Sequence, residues 1–154
     1  MKKLLVVGAT GLLGKATIKY FKTKENWTCA GLSRRPHDIR NVEYLKADLL
    51  DKSSIDRLHS RLQDVTHVLY AALYEMDDLL IGWRHSEQIK TNTLMFQNLT
   101  NALSLSSPNL RHMSILQGTK AYGIHVEPMK APAKEKWPRH DHENFYWHQE
   151  DILK

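Results

Sequence analysis

Short apolar or β-branched runs alternate with amphipathic stretches from the first residue onward, the pattern of successive β-α-β units around a parallel sheet. Residues 4–8, "LLVVG", form an unbroken apolar run, which predicts a strand buried on both faces. Residues 11–21 place Leu12, Leu13, Ala16, Ile18 and Phe21 at helical spacing, and the polar "KTKEN" ends that helix. A second strand is predicted over residues 27–32, a proline-broken loop over 34–41, and a third strand over 42–47. A short helix over 54–62 follows, then the turn "QDVT" and a fourth strand over 67–72. A longer helix over 84–103 puts Ile89, Asn92, Phe96, Leu99 and Leu103 on one broad face, and "SSPNL" stops it. A fifth strand is predicted over 111–116. Residues 122–143 hold Pro128, Pro132 and Pro138 among charges and histidines, which predicts a long loop of the functional kind, and a last helix begins near Asn144.

At 154 residues the chain has the length of about one domain and can bury a real core. Its 42% hydrophobic and 25% charged residues exclude a disordered chain. The net charge of +5 is spread among acidic residues from Lys2 to Lys154, with no stripe of aromatic residues beside it, so no nucleic-acid partner is expected. The lone Cys29 excludes an internal disulfide, reads as a core residue and fits a reducing compartment. The opening "MKKLLVVGATGLLG" imitates a secretory leader, but its apolar run is cut after four residues, and nothing approaches a membrane span. A cytoplasmic protein without membrane contact is expected.

The first strand runs into "GATGLLGK", with Gly8, Gly11 and Gly14 in a G-x-x-G-x-x-G pattern. Such a strand-to-helix turn lets backbone amides and the positive helix end face a pyrophosphate. Gly8 would make the turn, Gly11 would permit close approach, and Gly14 would let the helix pack on the strand. Thr10, Leu12 and Leu13 complete the expected cradle. An Asp or Glu that would select NAD is missing from the end of the second strand; "SRR" stands there. Ser33 offers a neutral hydroxyl, and Arg34 and Arg35 can clamp a 2′-phosphate, so NADP(H) is the expected cofactor. Asp48 and Leu49, at the end of the third strand, are expected beside the adenine, and Ala71 and Ala72, after the fourth, are small enough to let the cofactor come close. The expected fold is a Rossmann-type doubly wound parallel α/β sheet. It divides into an NADP-binding part over 1–120, a long active-site loop over 121–143 and the start of an active-site helix over 144–154.

A short-chain dehydrogenase would carry Tyr-x-x-x-Lys near "GTKAYGIHV", but Tyr122 is followed at that spacing by Val126. The pair Tyr20 and Lys24 has the spacing but sits at the end of the first helix that faces away from the ligand-binding edge. Lys120 follows the fifth strand on the correct edge, and Tyr146 opens the last helix; the two could meet across the long loop. His140, His142 and His148 stand near Asp141 and Glu143, yet no closed ligand spacing is present, so no metal is expected. Asn92, among core positions, would steady backbone or water near the site or satisfy a buried carbonyl.

The blocks "GATGLLG", "SRR", "KADLLD", "DVTHVLYAA", "NTLMFQNLTNAL", "GTKAYG" and "NFYWHQEDIL" resemble, in the same order, the progesterone 5β-reductase and iridoid synthase family of atypical short-chain dehydrogenases, which reduce enones. The resemblance implies that Lys120 and Tyr146 are the catalytic pair, with Trp147 departing from the tyrosine common in that family. It implies NADPH-dependent hydride addition to the β-carbon of a small-molecule enone, with Tyr146 bonding the developing enolate and Lys120 adding positive charge that can lower the tyrosine pKa. Beside that enzyme stand two alternatives. One is a sugar-nucleotide epimerase or dehydratase on the same scaffold, the other an NADP-sensing regulator without catalysis. A homodimer is left open. Because the last helix breaks off at "EDILK", the chain is expected to be the first part of a longer enzyme, binding NADPH weakly by itself without turnover.

Overall fold

The computed structural model describes residues 1–36, 38–78 and 81–154. Five parallel strands form one sheet in the order β3-β2-β1-β4-β5: β1 (Lys2–Val7), β2 (Trp27–Ser33), β3 (Glu43–Lys46), β4 (His67–Tyr70) and β5 (His112–Ile115). The helices are α1 (Leu12–Phe21), α2 (Lys52–Asp56), α3 (His59–Leu62), α4 (Ser86–Ser106) and α5 (Phe145–Leu153), with 3-10 turns at Gly82–Arg84 and Thr119–Tyr122. The chain divides into two compact units. The first holds Met1–Leu73 and Asn98–Leu116, and the second Tyr74–Gln97 and Gln117–Lys154.

The first unit contains the whole sheet. Its central strand is the apolar run seen in the sequence: Leu4, Leu5, Val6 and Val7 are all buried. Each side chain taken fully out of water contributes about 1.5–3 kcal/mol, so this strand organises the core. On one flank Ile18 of α1 and Cys29 of β2 pack with Leu4, Val6 and Ala9, and Phe21, Trp27 and Leu69 close the cluster. The register sets Val7 opposite Leu32 on one side and Tyr70 on the other, so the three central strands end together, at the edge where ligands bind in open α/β sheets.

Pattern and structure differ where local geometry interrupts periodicity. The helix predicted over 54–62 is two short helices, because Leu58 (φ −91°, ψ 2°) leaves helical geometry; Ile55, Leu58 and Leu62 stay buried across the break. The fourth strand ends at Tyr70, not Ala72. The long helix starts two residues later and runs three residues further than predicted. It stops where Ser107 Oγ donates to the Leu62 carbonyl and the Ser107 N–H still caps Leu103. His37, in the loop expected over 34–41, lies outside the described residues.

In the second unit Trp83, Ile89, Ala121, Phe145 and Tyr146 form the buried cluster, with Tyr122 and Trp147 packed against it. Of the long loop predicted over 122–143, Tyr122 ends a 3-10 turn and the rest contains no helix or strand. Arg139 fastens this segment to α5. Its guanidinium donates to Glu150 (2.6 Å) and Asp151 (2.8 and 3.0 Å) and lies over the Trp147 ring at 5.1 Å.

Candidate functional site

The glycine turn of the first unit has the geometry its sequence demands. Gly8 leaves β1 with φ +84°, a conformation side chains rarely adopt, and a Cβ there would lie 2.7 Å from the Ala71 carbonyl oxygen. A Cβ on Gly14 would run into the carbonyl of Gly8, so the helix can approach the strand only without one. Gly11 differs: its backbone is extended (φ −75°), and a Cβ would meet only the Gly8 oxygen at 3.4 Å. The space above it is open. Gly11 precedes a ten-residue helix with no acidic residue in its first turn, and Leu12 and Leu13 are exposed there. Thr10 is half-buried in the same turn. The free amides of that helix start, the positive helix end and the bare Gly11 suit a pyrophosphate, so the residues fit a dinucleotide.

Around this turn, the remaining predicted residues are arranged unequally. Arg34 and Arg35 are exposed immediately after β2, and among the described residues no ion pair holds either. Ser33 is buried, and its hydroxyl donates to the Arg35 carbonyl at 2.6 Å, so it shapes the arginine loop more than it presents itself. The Asp48 carboxylate accepts the Leu50 N–H at 3.0 Å, and Leu49 points into the core at 5% exposure. Leu49 therefore offers little of the apolar surface expected for an adenine. Ala71 and Ala72 are half-buried; the close approach at Ala71 is to the backbone of Gly8.

The second unit brings Lys120 and Tyr146 together around one indole. Tyr146, 8% exposed, directs its hydroxyl to the Gly118 N–H at 3.2 Å, two residues before Lys120. The Lys120 ammonium lies 4.0 Å from the centre of the Trp83 ring, and Tyr146 packs on the same indole at 5.4 Å between centroids. The Glu75 carboxylate accepts the Trp83 N–H at 2.9 Å and stands 3.9 Å from the ammonium. Asn144 ties the two elements: its Oδ1 accepts the Tyr146 N–H (3.0 Å), capping α5, and its Nδ2 donates to the Lys120 carbonyl (3.1 Å). By contrast, Tyr20 and Lys24 make only a surface contact, the ammonium 4.3 Å from the exposed ring.

Burial pushes the Tyr146 phenol pKa up, the Gly118 N–H pulls it back, and Glu75 pushes it up again; the net direction is upward. Burial dominates, and Lys120, expected to lower the value, is not among its causes. The ammonium instead faces the Glu75 carboxylate and the Trp83 ring.

Sequence reasoning missed Glu75, Trp83 and Gly118, and it read Asn144 only as a helix start. An Asn before an aromatic helix start is a recognisable cap, so Asn144 was within reach. Glu75 and Trp83 carry no local signal. Asn92 is fully buried and clasps Tyr74, accepting its N–H (2.9 Å) and donating to its carbonyl (2.7 Å). Of the histidines, His140 pairs with His142 (2.8 Å) and with Glu127 (3.1 Å), while His142 also meets Asn144 (3.0 Å). Among the described residues no cluster of His, Cys, Asp or Glu has the arrangement of a metal site, and no helix is long and apolar enough to cross a membrane.

A parallel sheet with strand order 3-2-1-4-5 and a glycine turn after its central strand defines a Rossmann-type α/β protein. The chain belongs to the NAD dependent epimerase/dehydratase family, whose family model matches residues 4–145. Among curated proteins it is 32% identical to (S)-8-oxocitronellyl enol synthase of Catharanthus roseus, over 97% of this chain and 39% of that one. It is 31% identical to 3-oxo-Delta(4,5)-steroid 5-beta-reductase of Arabidopsis thaliana, over 97% and 40%. These are the relatives that the motif blocks pointed to, and the chain spans about two fifths of their length. UDP-glucose 4-epimerase from Brucella ovis in complex with NAD shares the fold, with TM-score 0.76 and 16% identity over 99% of this chain and 46% of that one. The Bordetella bronchiseptica enzyme WbmH in complex with NAD+ gives 0.72 and 22%, over 99% and 52%.

Proposed function

We propose that this chain is the cofactor-binding and catalytic-pair portion of an NADPH-dependent reductase acting on the C=C bond of a small enone. The observation that carries the reading is the grouping of the Tyr146 hydroxyl, the Gly118 N–H and the Lys120 ammonium around Trp83, in a chain that lacks Tyr-x-x-x-Lys at the usual place. The curated relatives, named as an enol synthase and a steroid 5-beta-reductase, support it.

In this reading Gly8, Gly11 and Gly14 shape the pyrophosphate turn, with Thr10, Leu12 and Leu13 beside it. Arg34 and Arg35 hold the 2′-phosphate, Ser33 orders their loop, and Asp48, Leu49, Ala71 and Ala72 border the rest of the dinucleotide. When bound, NADPH would supply the hydride that adds to the β-carbon of the alkene, and the enolate so formed would take a proton from solvent at its α-carbon. Tyr146 donates a hydrogen bond to the carbonyl oxygen where negative charge gathers, as a phenol that burial pushes further toward its neutral form. A preorganised donor of this kind in a dry site is worth about 3–4 kcal/mol of transition-state stabilisation. Lys120 adds positive charge close by.

The test is NADPH consumption by the complete protein with cyclohexenone. Turnover that falls in Tyr146→Phe and in Lys120→Met supports the reading. NADPH binding without turnover across an enone panel replaces it with a sensor, and turnover of a nucleotide sugar replaces it with an epimerase. Equal affinity for NADH and NADPH removes the role given to Arg34 and Arg35.

A further inference from the structure

Asn92 and Gln88 are both fully buried polar residues, one helical turn apart on α4. Their targets are two residues apart on a segment without regular secondary structure. Asn92 grips the N–H and carbonyl of Tyr74, and Gln88 Oε1 accepts the N–H of Met76 at 2.8 Å. The residue between them is Glu75. Gln88 keeps this position at a cost, since its buried Nε2 has no hydrogen-bond partner among the described residues. The site is also built around it: a Cβ on Gly82 would lie 2.6 Å from Gln88 Oε1.

We infer that Glu75 is a positioning residue for Lys120 and Tyr146, aimed by the buried Asn92 and Gln88 on either side of it. One oxygen of Glu75 carries both contacts. Oε1 accepts the Trp83 N–H at 2.9 Å and faces the Lys120 ammonium at 3.9 Å. Fixing the N–H fixes the rotation of the indole, which is 3% exposed and packed on Phe145 at 4.9 Å. The face so presented receives the ammonium, and the same ring packs against Tyr146. Glu75 thus sets where the lysine charge rests relative to the phenol. Without its charge the flexible lysine would be held by the ring alone, and without its oxygen the indole would lose its anchor.

The inference rests on the function proposed above, and the experiment separates the two. Two variants differ in what they remove. Glu75→Gln keeps an acceptor for the indole and loses the charge, whereas Glu75→Ala loses both. In the complete protein, kcat for enone reduction is expected to fall roughly tenfold in the first and roughly a hundredfold in the second, with KM for NADPH unchanged and partial rescue by Glu75→Asp. In the 154-residue chain, the NMR resonance of the Trp83 indole N–H should hold in Glu75→Gln and move in Glu75→Ala. Wild-type turnover with both variants within about twofold of it overturns the role of Glu75 and leaves the function standing. Absence of wild-type turnover overturns the function, and the catalytic role of Glu75 with it. A Trp83 resonance indifferent to Glu75→Ala overturns the positioning itself, whatever the kinetics.

Discussion

The glycine turn after β1 and the indole-centred cluster around Trp83 solve two different problems. The first is a backbone device: its parts lie within seven residues, and what matters is the absence of side chains at Gly8, Gly11 and Gly14. The second is a side-chain device, assembled from Glu75, Trp83, Gly118, Lys120, Asn144 and Tyr146. The contrast teaches where each should be fragile. A turn defined by missing atoms loses its packing where an added atom meets backbone, and its ligand approach where the added atom meets open space. A cluster defined by interactions fails by degrees, according to the one removed.

The sharpest break falls on the turn. Gly14→Val should cost at least about 4 kcal/mol, because the added Cβ runs into the carbonyl of Gly8 and the helix must leave the strand. Chemical denaturation of the 154-residue chain measures it. Gly11→Ala, with open space at its Cβ, should leave the denaturation midpoint nearly unchanged while weakening dinucleotide binding, which calorimetry would register. Equal destabilisation at the two positions would erase the distinction between packing and ligand approach.

In the cluster, Tyr146→Phe should lower kcat of the complete protein by about a hundredfold to a thousandfold. The same change should cost only about 1 kcal/mol of stability, the worth of the Gly118 hydrogen bond. Replacing Arg34 and Arg35 together by alanine should cut the preference for NADPH over NADH by roughly tenfold to a hundredfold, and raised salt should mimic part of the loss since both are exposed. Asn144→Ala removes the cap of α5 and the tie to the Lys120 carbonyl, and is expected to cost about 1–2 kcal/mol in thermal or chemical unfolding.

The last effect is one of pH. Burial holds the His125 pKa down at about 4 against an ordinary 6.5, and the charges of His142, Lys120, Arg84 and His140 add to it. Both ring nitrogens are buried without a hydrogen-bond partner among the described residues. The folded chain therefore binds fewer protons than the unfolded one between these values, so stability is full above 6.5 and declines as the pH falls toward 4. His125→Phe should flatten that stretch of a stability profile, and a profile as steep as the wild type would remove His125 as the cause.

The sequence made the first region legible because its physics is local. A fully buried central strand must be continuously apolar, a tight turn against a neighbouring strand must be glycine, and these demands fall on residues 4–14 in order. Periodicity elsewhere served nearly as well, failing at Leu58, where one residue in the bridge region split a predicted helix without disturbing its buried face. Lys120 and Tyr146 were legible by their place in motif blocks. The carboxylate that steadies one of them was not, since Glu75 sits in a stretch with no periodicity to read.

By itself, then, the order of residues determined a parallel α/β sheet and the position of its glycine turn, because both follow from neighbours along the chain. Only the tertiary structure decided that a lysine, a phenol, an indole and a carboxylate meet, and that the phenol pKa moves up and not down. Those outcomes depend on distances between residues tens of positions apart and on how deeply the phenol is buried. No local pattern encodes either.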